Sequence, residues 1–246
     1  MKNELIVNAK PISNFSEDVR TIRTNIEFLM SEKEEGNKVF LITSASQGEG
    51  KSFVISNLAC AFAKNDKKVL IIDCDLRLGR IHKIFKTSFR DGLSNLIAKY
   101  DGRVNINNYI KHTNIENLDI ITRGTTPPNP SELLGSDRFK KILDKLYKKY
   151  DYIFIDCVPV RGLPDSLVVS NLVDKTIIVC KYGIIDQDDL LETKKALENV
   201  NANIAGVILN DVPKKKNRYG SYNSYYSYYS KRGLLWEIFI IMFYQE

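Results

Sequence analysis

Two histidines and four cysteines among 246 residues leave little material for a metal centre. The cysteines (Cys60, Cys74, Cys157, Cys180) each sit in or beside an apolar run and show no C-x-x-C spacing. That excludes a zinc cluster or a disulfide framework and points to reduced core residues of a cytosolic protein. No run approaches the roughly 20 apolar residues that cross a bilayer. Met1–Lys10 also lacks the apolar stretch of a secretory signal, so a soluble intracellular domain is expected. A dominant charge is missing too: 36 Lys and Arg face 30 Asp and Glu, for a net +6. Much of the excess lies at Lys214, Lys215, Lys216, Arg218, Lys231 and Arg232, a local basic tail, so no nucleic-acid partner is expected. With 43% hydrophobic and 27% charged residues the chain is not disordered, and its length suits one sizeable core.

What the sequence does contain is alternation. Nearly continuous apolar runs at Val39–Thr43, Val69–Asp73, Leu118–Thr122, Tyr152–Asp156, Lys175–Cys180 and Ile204–Asn210 read as strands covered on both faces. Helical spacing at Ser52–Lys64, Asp137–Lys149 and Gln187–Val200 separates several of them. The pattern predicts an α/β fold with a mostly parallel sheet and helices on both faces, and ligands beyond the carboxyl ends of its strands. Ahead of it, residues 16–31 read as a helix capped by Ser16, with Val19, Ile22, Ile26, Leu29 and Met30 on one face. Glu17, Arg20, Arg23 and Glu27 form a charged stripe beside that face. Residues 1–218 are expected to form the main domain. Residues 219–232 follow as a flexible tail whose Tyr219–Ser230 stretch has no aliphatic residue, and 233–246 as a short apolar segment of open role.

Three segments carry chemistry. Ala45-Ser46-Gln47-Gly48-Glu49-Gly50-Lys51-Ser52 follows the first strand and opens a helix. It is the phosphate-loop pattern G-x-x-x-x-G-K-[ST], with Ala45 replacing the first glycine. Glycines let successive N–H groups turn towards phosphate oxygens, and the helix start adds a favourable dipole. Lys51 is expected to reach the β- and γ-phosphates and Ser52 to ligate Mg2+. ATP and Mg2+ are therefore the expected cofactors, bound by Ser46, Gln47, Gly48, Glu49, Gly50, Lys51, Ser52 and Phe53. The second segment, Leu70–Arg77, delivers Asp73 and Asp75 from the end of a strand; two carboxylates on one face suit one metal ligand and one proton acceptor. The third, Tyr152–Asp156, ends in an acid placed to orient the magnesium shell through water.

In this order the motifs resemble the bacterial tyrosine kinases of capsule and exopolysaccharide synthesis, over roughly Ser16 to Ser230. Asp73-x-Asp75-x-Arg77 is similar to the family's A′-type motif, and Asp156 to its B-type aspartate. Glu17-x-x-Arg20-x-x-Arg23 is similar to an element that mediates ring-like self-association, and Pro128–Leu134 also looks family-like. The resemblance implies a P-loop NTPase fold. It further implies ATP-dependent autophosphorylation, between subunits, of Tyr219, Tyr222, Tyr225, Tyr226, Tyr228 and Tyr229. Lys51, Asp73, Asp75 and Arg77 would be the catalytic set, with Asp73 nearest the incoming hydroxyl. Ser52, Asp75 and Asp156 would hold the metal, and Asn210 would contact adenine. As implied partners it brings a membrane-embedded activator of the co-polymerase type that recruits the chain to the inner face of the cell membrane, a ring-like homo-oligomer and a cognate tyrosine phosphatase. Each phosphotyrosine adds about −1.5 to −2 charges, enough in sum to reverse the basic tail and loosen a ring. The alternative is a MinD/ParA-type ATPase acting as a nucleotide switch. That family carries an extra lysine where this chain has Ser46.

Overall fold

A computed structural model describes residues 4–31, 39–213 and 239–244. Among the described residues eight strands form one sheet, in the order β3 (Lys111–His112), β4 (Leu118–Ile121), β2 (Val69–Asp73), β5 (Tyr152–Asp156), β1 (Val39–Ser44), β6 (Lys175–Lys181), β7 (Ile204–Val212), β8 (Phe239–Tyr244). Six of them, β1, β2, β4, β5, β6 and β7, fall on the six expected runs and pair in parallel. Two edge strands lie outside those runs. β3 pairs antiparallel with β4, and β8 pairs parallel with β7. Part of the apolar C-terminal segment thus packs on the domain. The open edge of β7 offers unpaired N–H and C=O groups, and Phe-Ile-Ile-Met-Phe-Tyr has the branched and aromatic character that pairs with such an edge. The cluster Tyr219–Tyr229 and its flanking basic residues lie outside the described residues.

Strand alternation sends side chains to two layers. Phe40, Ile42, Val69, Ile71 and Phe154 face α2 (Asn14–Ser31), α3 (Lys51–Ala63) and two short helices, α1 (Ile6–Ala9) and α4 (Ile81–Ile84). Val39, Leu41, Leu70, Ile72, Ile153 and Ile155 face the other layer, made of α5 (Leu93–Lys99), α6 (Pro130–Leu134) and α7 (Asp137–Tyr147). α8 (Asp165–Ser170) and α9 (Gln187–Asn199) complete the fold over β6 and β7. All four cysteines are buried and free. Among the described residues no helix is long and apolar enough to cross a membrane.

α2 begins two residues before the expected start, and Ser16 is not its cap. Ser13 is: its Oγ accepts from the Ser16 N–H at 3.2 Å, while the Ser16 hydroxyl donates to the Lys10 carbonyl at 2.7 Å. Val19, Ile22 and Ile26 are buried as the spacing requires. The charged stripe divides. Glu17 and Arg20 pair with each other on the outside. Arg23, 19% exposed, instead donates to the Ala61 carbonyl of α3 at 3.1 Å and lies 3.8 Å from Glu27.

Candidate active site

β1 runs into a loop, residues 45–50, that ends on the first residue of α3. Two residues in it adopt the left-handed region, Gly48 (φ 88°) and Gly50 (φ 92°). Gly50 is needed twice over, because a Cβ there would lie 2.1 Å from Asn210 Nδ2. Ala45 is fully buried and is not among the residues with positive φ, so the departure from glycine costs no backbone strain. Glu49 turns inward: its carboxylate accepts from the Ser46 N–H at 2.5 Å and the Lys181 N–H at 3.1 Å, tying the loop to the end of β6. Burial pushes the Glu49 carboxyl up, against these two hydrogen bonds. Gln47 and Gly48 are exposed at the loop tip.

Lys51 is buried, and its Nζ donates to Ser44 Oγ at 3.0 Å, a neutral partner that a phosphate oxygen would outcompete. The Ser52 hydroxyl donates to Asp156 Oδ2 at 2.6 Å. Two further residues expected to line the nucleotide make contacts of their own around the loop. The half-buried Phe53 ring packs on Phe15 of α2, centroids 5.4 Å apart. The Asn210 amide donates to the Glu49 carbonyl at 3.0 Å and so braces the loop from β7.

Asp73 and Asp156 end neighbouring strands in direct register, β2 against β5. Asp73 has no exposed surface; its Oδ2 accepts from the Ile81 N–H at 3.3 Å. Asp75 lies beyond the strand in a half-buried turn, where its Oδ1 accepts from the N–H groups of Arg77 (3.2 Å) and Leu78 (2.8 Å). The sequence pattern did not single out Gly79, although it closes this turn against Asp73. A Cβ on it would lie 2.2 and 2.5 Å from the two Asp73 carboxylate oxygens. Arg77 points sideways to Asp165, which sequence reasoning also missed.

The oxygens present fit Mg2+. Asp73 Oδ1 and Asp156 Oδ1 are buried with no hydrogen-bond partner. Burial first, and then the charges of Asp156 and Asp75, hold the Asp73 carboxyl well above the usual carboxylate range. Asp156 is pushed up to about 6, again chiefly by burial, with the Ser52 hydroxyl and Lys51 pulling the other way. A hard divalent cation takes oxygen donors and offsets such repulsion. Among the described residues no group of three or more His, Cys, Asp or Glu forms a complete metal cage.

A pH dependence follows. The Asp156 carboxyl keeps its proton to about pH 6 when folded, against 3.8 as an ordinary carboxyl. The folded state therefore binds more protons between those values, and stability falls as pH rises through that window. The groups acting on Asp156 include Ser52, Lys51, Asp75, Arg80 and the coupled Asp73. Metal-free protein should melt at a lower temperature at about pH 7 than at about pH 5, and Mg2+ should raise the melting temperature more at the higher pH. Thermal scans with EDTA and with Mg2+ check this; an equal Mg2+ effect at both values would contradict it.

Residues 37–205 match the model of the AAA domain family, more than half of the chain. The chain is 38% identical to Staphylococcus aureus CapB over 213 residues, covering 87% of this chain and 91% of that protein. It is also 38% identical to the tyrosine-protein kinase Etk of Escherichia coli over 205 residues, and there it spans only 28% of the relative's length. Among solved structures, the chimerical protein CapA2B2 superposes with a TM-score of 0.81 at 35% identity, covering 87% of this chain and 92% of that one. The kinase domain of E. coli Etk gives a TM-score of 0.81 at 36% identity, covering 89% and 84%. MinD from Pyrococcus horikoshii, at a TM-score of 0.58 and 25% identity over 71% of this chain and 70% of that one, shares the P-loop fold. With its phosphate loop and three aspartates at one end of that sheet, the chain belongs to the AAA-domain P-loop proteins and, within them, to the bacterial tyrosine-protein kinase family that includes CapB and Etk.

Proposed function

We propose that this chain is an ATP-dependent protein-tyrosine kinase. It autophosphorylates Tyr219, Tyr222, Tyr225, Tyr226, Tyr228 and Tyr229 between subunits and regulates capsular or exopolysaccharide synthesis and export. One observation carries the reading: a lysine-bearing phosphate loop faces a buried aspartate pair, Asp73 and Asp156, at the same end of the sheet. Phosphoryl transfer needs positioning and charge neutralisation more than covalent help. Loop amides from Gln47 to Ser52 cradle the phosphates while the Ser46 N–H stays on Glu49, and Lys51 moves from Ser44 to the terminal phosphate. Mg2+, when bound through Ser52, Asp75 and Asp156, supplies charge neutralisation at the phosphate oxygens. Asp73 takes the phenolic proton. A phenol loses its proton near pH 10, so a modest base acting late in the reaction is enough.

The names CapB and Etk and the CapA2B2 chimera support a membrane partner, and the phosphatase and the ring are proposed with it. A membrane-embedded co-polymerase-type protein activates the kinase and recruits it from the cytoplasm to the inner face of the membrane. A cognate tyrosine phosphatase reverses the reaction, and phosphorylation loosens a ring-like homo-oligomer assembled through α2. The stripe on α2 makes a testable distinction. Arg20→Ala should abolish self-association without changing the melting temperature, because its partners are Glu17 and the exposed Pro11 carbonyl. Arg23→Ala should in addition lose about 1 kcal/mol of stability, because its bond to α3 is internal. Light scattering and thermal melts read the two effects.

The deciding experiment incubates purified protein with ATP and Mg2+, with and without the cytoplasmic segment of the membrane partner, and maps phosphate by mass spectrometry. Phosphate on Tyr219–Tyr229 supports the kinase. ATP hydrolysis with no phosphotyrosine would favour the nucleotide switch.

A further inference from the structure

Arg77 and Asp75 share a turn, yet what holds that turn in place lies outside it. Asp165, the first residue of α8, has no exposed side-chain surface. Arg77, 37% exposed, reaches it with two donors, Nε at 3.4 Å and Nη2 at 3.5 Å. The Ser131 hydroxyl also donates to Asp165, at Oδ1. A carboxylate removed from water requires this kind of compensation, and a two-pronged guanidinium contact supplies direction as well as charge.

The platform under Asp165 is rigid. Its neighbour Ser166 donates to the Val158 carbonyl beyond β5, and its Oγ lies 3.1 Å from Thr43 Oγ1 of β1. The Thr43 hydroxyl also reaches Val158 O, at 2.8 Å. The start of α8 is therefore fastened to the two strands that carry the phosphate loop and Asp156. The 75–79 turn, by contrast, is held by the Asp75 side chain, by the Gly79 N–H to the Asp75 carbonyl at 2.8 Å, by Arg123 Nη1 donating to the Leu76 carbonyl at 3.5 Å, and by Arg77's grip on Asp165. Ser131 brings in Pro128–Leu134, the one family-like segment to which the site has so far given no task.

We infer that Asp165, assisted by Ser131, is a positioning residue that acts through Arg77 to set the Asp75 turn against the phosphate loop. The inference rests on the kinase reading for the reaction it serves. Loss of the Asp165 charge leaves Arg77 unanchored and the turn free to drift, while the phosphate loop itself keeps all its bonds. Turnover should suffer and nucleotide affinity should not.

The test is a double-mutant cycle of Asp165→Asn and Arg77→Ala on the full chain, read in phosphotyrosine formation and in ATP hydrolysis. Asp165→Asn should lower kcat about tenfold and leave ATP affinity within about twofold. The double variant should match Arg77→Ala within about twofold, because a residue acting only through Arg77 has nothing left to act on. Losses that multiply, an unchanged Asp165→Asn enzyme, or an affinity loss equal to the kcat loss would overturn the inference. Should Asp165→Asn not fold, Ser131→Ala takes its place: a few-fold kcat loss that vanishes on the Arg77→Ala background supports the inference, and a loss that persists there, or no loss at all, overturns it. If wild-type protein forms no phosphotyrosine, the kinase reading fails, while the same cycle in ATP hydrolysis still decides the role of Asp165. Peptide hydrogen exchange over residues 75–79, faster in Asp165→Asn and unchanged over 45–52, reads the same coupling without catalysis.

Discussion

Lys51→Met should abolish phosphate incorporation into the Tyr219–Tyr229 cluster, with turnover falling about 100- to 1,000-fold. The side chain is buried at the first position of α3, where Met fits the volume and favours the helix, so the fold should survive. What disappears is the one lysine ammonium bonded inside the loop, now on Ser44 Oγ at 3.0 Å. Among the described residues, Arg77 is bound to Asp165, and Arg80 lies 3.5 Å from Glu4. Mass spectrometry of the ATP-treated variant, with a thermal melt alongside, separates loss of chemistry from loss of structure. Residual phosphorylation at the wild-type rate would mean that the transferred group is not held at this loop.

Gly79→Ala should be nearly as damaging, by a different route. The added methyl would sit 2.2 and 2.5 Å from the Asp73 oxygens and 2.5 Å from the Asp75 carbonyl. One of these contacts is backbone, and Asp73 is enclosed on all sides, so the turn itself must move. A displacement approaching an ångström at the reacting groups costs about 100-fold in rate, and overpacking costs about 1–3 kcal/mol of stability. The phosphate loop is on another segment, so ATP binding should stay within about threefold of wild type. Nucleotide titration by fluorescence and phosphotyrosine formation at saturating ATP check the two halves. Wild-type turnover would show that Asp73 tolerates movement and is not the base.

Much of this was legible in the chain because the signals are local. The central strands are short apolar runs with no polar side to place, and the phosphate loop is contiguous because consecutive N–H groups must face one ligand. Other features needed distant partners. Asp165 follows Pro164 in an ordinary helix start, and nothing near it in sequence indicates that Arg77, 88 residues away, ends on its carboxylate. Gly79 reads as a loop glycine until Asp73 is folded beneath it. Arg23 matches its stripe by spacing, yet α3 packs close enough to draw it inward. Nor does anything local show that the Phe53 ring meets Phe15 or that the Asn210 amide donates to the Glu49 carbonyl.

By itself the sequence determined the parallel α/β architecture, the phosphate loop and the identities of its three aspartates, since periodicity and contiguous motifs act over a few residues. Only the tertiary structure decided that Asp73 and Asp156 stand side by side without water and that Asp165 anchors Arg77. It also decided that residues 239–244 extend the sheet. Those outcomes depend on which strands become neighbours and on which carboxylates lose their solvent, and neither property belongs to any stretch of chain taken alone.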